Sequence, residues 1–152
     1  MGTVYLFRGK AATGKNDLIQ PPVSKAGDPC FRKDDITDAI KSGEYLTDRG
    51  AGNALCYDIL CCILQTNLSL GADFIVDLAL GDRGNAAFFL NRLDFKQNKV
   101  FRFFLDCSDE EAWKQRHLER LKNPLLHESF HSLEHVLEHY RKADIGPLEA
   151  NM

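Results

Sequence analysis

Gly9, Gly14 and Lys15 stand at the spacing GxxxxGK within residues 9–16, GKAATGKN. A loop of that spacing turns successive backbone N–H groups into one concavity at the start of a helix, and its lysine adds a mobile cation, an arrangement that suits a polyphosphate. Gly9, Lys10, Ala11, Ala12, Thr13, Gly14, Lys15 and Asn16 are therefore the candidate cradle. Asn16 occupies the place where such a loop normally has Ser or Thr, whose hydroxyl binds magnesium. Here the metal would have to meet an amide oxygen or water.

Phosphoryl transfer needs a cation on the terminal phosphates, a carboxylate near the attacking hydroxyl and further positive charge for the equatorial oxygens. Lys15 and Asp34 fit the first two requirements, and Arg116 with Arg120, one helical turn apart in WKQRHLER, fit the third as lid residues over about 116–131. Asp77, ending an apolar run, and Arg83, in the turn after it, are candidates for holding substrate or metal. Each has a plainer reading: Asp34 and Asp35 as the N-cap and first-turn acid of a helix, Asp77 as a turn former, and the arginines as partners of Glu110, Glu111 and Glu119. A second motif, HExxH at residues 127–131, is the spacing of a helical zinc site. Pro124 just before it argues against the helix such a site needs, and His131, His135 and His139 are expected on a solvent face.

The elements that would position these groups alternate between strand and helix. Val4 to Phe7 is an unbroken apolar run, as in a strand buried on both faces, and it feeds the loop. The helix after Lys15 is cut short by Pro21 and Pro22, and Cys30 to Arg32 makes a brief second strand. A helix capped by Asp35 runs to about Ser42 and ends at Gly43. A longer one covers Asn53 to Leu70, burying Leu55, Ile59, Cys62, Ile63 and Thr66. Asp73 to Asp77 is a strand, Ala86 to Gln97 a helix, and Val100 to Leu105 a strand. Ser108 to Lys122 is a helix capped by Ser108, and a last one from Ser132 buries Leu133, Val136, Leu137 and Tyr140. The alternation predicts an α/β fold with a short parallel sheet flanked by helices and ligands at the strands' C-terminal ends.

The 152 residues, 44% apolar, suffice for one domain, 1–152. A formal charge of -3 gives no global reason to bind nucleic acid or an anionic membrane, and a small-molecule partner is expected instead. The most apolar stretch, Ala54 to Leu64, falls short of a bilayer span, and no secretory signal opens the chain, so a cytoplasmic protein is expected. Five cysteines without a CxxC pair argue against a disulfide framework or zinc ribbon, and Cys56 and Cys62 read as small apolar residues.

Taken together, the GxxxxGK loop, the Lys33-Asp34-Asp35-Ile36 element, the strand ending in Asp77 and the Arg116/Arg120 pair resemble the P-loop kinases of the AAA-33, zeta-toxin-like and chloramphenicol phosphotransferase-like group. The resemblance covers nearly the whole chain and implies a three-layer, nucleoside-kinase-like P-loop NTPase fold. It also implies ATP and magnesium as cofactors and phosphate transfer from ATP to a small-molecule hydroxyl. On that likeness Lys15 binds the ATP phosphates, Asp34 is the base, and Arg116 and Arg120 stabilise the transferring group. The chain departs from the group at Asn16 and at Pro21-Pro22. At Thr37, polynucleotide kinases have Arg. The alternative is a nucleotide-binding protein with weak or no phosphotransfer.

Overall fold

The computed structural model describes residues 1–19, 27–43, 45 and 49–149, apart from the side chains of Asn16, Asp17 and Arg49. The expected arrest of the first helix at Pro21-Pro22 lies outside the described residues. Four parallel strands, β1 (Thr3–Gly9), β2 (Cys30–Arg32), β3 (Phe74–Leu78) and β4 (Lys99–Leu105), lie in the order β2-β3-β1-β4. Register sets Phe7 opposite Asp77 and Arg32 opposite Asp77, so the C-terminal ends of the three strands open on one edge. The segments that leave these strands are thereby gathered in space.

Residues alternate across the central strand. Val4 and Leu6 face a large core with Phe74, Val76 and, from α3 (Arg49–Leu70), Leu60 and Leu64, while α4 (Arg83–Leu90) adds Phe89 and Leu90. Phe7 and Ile75 pack with Ile19 of α1 (Lys15–Ile19) within a smaller cluster. Helices on both faces make three layers, as a parallel sheet requires. α2 (Lys33–Ser42) follows β2 without a break, and α5 (Glu110–Lys122) with α6 (Leu133–Lys142) closes over the loop after β1 through Trp113, Val136 and Ala12. No described helix is long and apolar enough to cross a membrane.

Several boundaries differ from the sequence reading. Asp35 is not the cap of α2: Arg32 holds that position without a side-chain bond, and Asp34 and Asp35 lie in the first turn, where carboxylates complement the helix dipole. α3 starts at Arg49 rather than Asn53, and its buried stripe is Cys56, Leu60, Leu64 and Leu68, whereas Leu55 and Cys62 are exposed. A helix this apolar admits two stripes one residue, or 100°, apart, and spacing alone does not choose between them. α4 runs from Arg83 to Leu90 rather than 86–97, because Asp82 accepts a hydrogen bond from the Asn85 amide and starts it early. α5 is capped by Asp109, one residue after Ser108. α6 starts just after Ser132, as expected; Ser132 caps it by accepting from the His135 amide, and the helix ends at Lys142.

Candidate active site

The loop leaves β1 where no side chain fits. A Cβ on Gly9 would lie 2.2 Å from the Leu105 carbonyl oxygen of β4. Gly14 takes φ +90 with open space on its Cβ side, so the backbone there is accessible to a ligand. Ala12 sits at φ 60, in the left-handed region that costs a non-glycine residue free energy and that clusters at ligand sites. Helices α5 and α6 hold this conformation. The Tyr140 hydroxyl accepts from the Ala11 amide at 2.9 Å, Trp113 Nε1 donates to the Ala11 carbonyl at 2.9 Å, and Arg116 Nη1 donates to the Ala12 carbonyl at 3.3 Å.

Lys15 is buried and donates from Nζ to the carbonyls of Lys10 at 2.8 Å and Gly9 at 3.3 Å. Burial pushes its ammonium below the ordinary lysine value, against the opposing pull of Asp77 and Asp34. An ammonium held at the loop's own carbonyls, short of charge compensation, favours an incoming polyanion. Asp77, 7% exposed, lies 3.5 Å from Arg32 Nε through Oδ2, while its Oδ1 is buried with no hydrogen-bond partner among the described residues. Burial raises its carboxyl above the usual range, with Lys15 and Arg32 opposing.

A cavity of about 850 Å³ opens above the strand ends, and Ala11, Ala12, Thr13, Gly14 and Lys15 line it together with Asp34, Asp77 and Arg120. Gly9 and Lys10 of the predicted cradle do not line it: Lys10 turns away, 3.5 Å from Asp106 and over the Trp113 ring at 4.3 Å. The Asn16 side chain, the candidate magnesium ligand, lies outside the described residues. Of the two lid arginines, Arg120 reaches the cavity and lies 4.0 Å from Glu128, whereas Arg116 ends on the Ala12 carbonyl. Arg83 is not brought to the cavity: it opens α4, lies 3.6 Å from Asp144, and packs so closely on Gly146 that a Cβ there would meet its guanidinium at 2.1 Å.

Sequence reasoning missed the opposite wall. Tyr57 of α3, Tyr140 of α6, and His127 and Glu128 between α5 and α6 all line the cavity. His127 to His131 lies outside any helix, so the HExxH spacing does not place its histidines one turn apart, and no metal-binding cluster occurs among the described residues. The His127 ring instead meets α2, with Nδ1 3.0 and 3.1 Å from the Asp38 carboxylate oxygens and Nε2 3.6 Å from Asp34. The available signal was the charge pattern of α2, where Asp34, Asp38 and Lys41 fall on one helical face.

No family model matches the sequence, and no curated protein matches it. Solved structures do. A "putative kinase" from Chloroflexus aurantiacus J-10-fl superposes with a TM-score of 0.77 at 19% identity over 98% of this chain and 83% of that one. A gluconokinase from Sinorhizobium meliloti 1021 gives 0.59 at 13% identity over 94% and 75%. At such identities the likeness is one of fold, and the fold is the three-layer α/β architecture of the P-loop nucleoside kinases.

Proposed function

We propose that this chain is an ATP-dependent phosphotransferase of the AAA-33 or zeta-toxin-like kind, acting on a hydroxyl of a small molecule in the cytoplasm. One observation carries the reading. Lys15, Asp34, Asp77 and Arg120, from four different elements, converge on one cavity beside a glycine-bounded loop. The residues fit the cofactors. The loop backbone is open at Gly14 for phosphate, and the buried Asp77 oxygen without a partner among the described residues is a hard donor suited to magnesium, with Asn16 the other candidate ligand from the sequence.

Magnesium ATP supplies the phosphoryl group and neutralises part of its charge. Lys15 exchanges the loop carbonyls for phosphate oxygens, Asp34 accepts the proton of the acceptor hydroxyl, and Arg120 brings positive charge from the facing wall. Arg116 acts from behind the loop, holding the Ala12 carbonyl. The second reading, a nucleotide-binding protein with weak or no phosphotransfer, is favoured by Asn16 and by Tyr140, whose hydroxyl already engages the Ala11 amide that a phosphate would use.

Thermal shift with ATP, with and without magnesium, alongside turnover over a panel of hydroxyl compounds, separates the two. A shift abolished by Lys15→Ala together with turnover supports the kinase. Tight binding with turnover appearing only in Asn16→Ser supports the second reading. An unchanged shift in Lys15→Ala overturns both.

A further inference from the structure

The structure assigns to His127 the task of positioning Asp34, the carboxylate that the proposed reaction uses as base; the assignment rests on that reading. Asp34, Asp38 and Lys41 are separated by four and three residues and so form one face of α2. The segment between α5 and α6 docks along that face at two levels. Lys41 Nζ donates to the Leu126 carbonyl at 2.8 Å, which fixes the backbone next to His127, and the imidazole then lies across both acids.

The two ring nitrogens have different partners. Asp38 takes Nδ1 with both oxygens at hydrogen-bond distance, and an ionised carboxylate only accepts, so Nδ1 carries a proton and donates. That bond sets the plane of the ring. Nε2 is thereby aimed at Asp34 Oδ2, 3.6 Å away. An Nε2–H donor in that place faces one oxygen of this carboxylate and leaves the other for an acceptor hydroxyl. Asp34 has little else to hold it. Among the described residues no hydrogen bond ties its side chain to its own helix, in contrast to Asp82 and Asp109, whose side chains cap their helices. Its side chain is 29% exposed, and that of His127 is 18% exposed.

The placement has a structural purpose in the reaction cycle. The ring comes from the same connection that carries Glu128 to Arg120, so the contact that orients the base forms only when this connection lies on α2. Base and lid cation are then set together, and a phosphate acceptor meets a complete site only in the docked arrangement. His127 is a positioning residue. It does not take the substrate proton.

Two isosteric replacements test this, because the glutamine amide nitrogen falls near Nε2 and the asparagine nitrogen near Nδ1. His127→Gln retains a donor toward Asp34, and His127→Asn retains the one toward Asp38. Action through Asp34 requires that kcat fall by about tenfold or more in His127→Ala and His127→Asn, recover in part in His127→Gln, and leave the KM for ATP within about twofold. In an Asp34→Asn background, His127→Ala should lower kcat no further. A mere clamp of the connection onto α2 would reverse the order, with asparagine the better replacement, and would overturn the assignment. So would additive effects of the two substitutions. Melting curves of each variant with and without ADP show that the nucleotide end is folded.

A readout without turnover keeps the assignment separate from the kinase reading. In nitrogen-15 spectra of the histidine rings, Asp34→Asn should move the Nε2 resonance of His127 and Asp38→Asn that of Nδ1. If no acceptor is phosphorylated yet Nε2 responds to Asp34→Asn, the kinase reading fails and the positioning contact stands. If Nε2 ignores Asp34→Asn, the assignment fails whatever the turnover.

Discussion

Acidification should destabilise the fold through one buried ring, His117 of α5. It is 2% exposed, with Trp113 at 4.8 Å and Phe130 at 6.0 Å between ring centroids, and its Nε2 has no hydrogen-bond partner among the described residues. Burial first, then the charges of Arg120 and Lys10, outweigh the favourable Ala11 backbone and bring its value down from 6.5 to about 4. Between those limits the unfolded chain is protonated at this site and the folded one is not, so the unfolded state binds more protons and stability rises with pH. The contribution is whole above 6.5 and is lost as pH falls toward 4. At ~1.4 kcal/mol for each pH unit, the full loss is on the order of 3 kcal/mol. Urea unfolding of the natural chain and of His117→Leu, at about pH 7 and about pH 4.5, cancels the other titrating groups. The natural chain should lose roughly 2–3 kcal/mol more than the variant over that interval. Equal losses would refute the argument, since they would mean that His117 titrates alike in both states.

Three further outcomes are expected. Asp34→Asn should lower turnover by about 10²–10⁴ while the nucleotide-dependent thermal shift persists, as removal of a general base does. Gly9→Ala should destabilise by about 1–3 kcal/mol or prevent folding, because its Cβ would stand 2.2 Å from the Leu105 carbonyl, and denaturant unfolding reads the difference. Leu60→Ala, in the fully buried stripe of α3, should cost about 2–5 kcal/mol, whereas Leu55→Ala, at 40% exposure, should cost clearly less. Equal costs would restore the other stripe.

The strand framework was legible because it depends on local chemistry that nothing else in the chain overrides. Val4 to Phe7 without a polar break, Cys30 to Arg32 between loop and acid, and the run into Asp77 each became strands close to their expected limits. Parallel pairing then did the rest: once the strands align, the residues just beyond their C-terminal ends arrive at one edge, and Lys15, Asp34 and Asp77 are brought together. Helix faces were less legible. In α3 the apolar residues surround most of the axis, and the buried stripe is chosen by Val4, Leu6 and Phe74 on the sheet, which no local pattern contains. The arginines show the same limit. Arg116 and Arg120 share a face, yet four residues of helix carry the second about 6 Å further along the axis, past the loop and onto the cavity, while the first stops at Ala12.

The HExxH pattern, against which Pro124 already argued, illustrates the same limit. A spacing counted along the chain becomes a distance only through the conformation assumed for it, and i, i+4 means adjacency on a helix alone. Pro124 and the capping Ser132 bracket residues 125–131 and keep them out of α5 and α6. Outside a helix, His127 meets the acids of α2. There the spacing rule holds, because Asp34, Asp38 and Lys41 do lie on a helix. The arithmetic that does not apply to the histidines therefore identifies the face on which His127 docks, and that face is where the carboxylate proposed as base meets the segment that covers it.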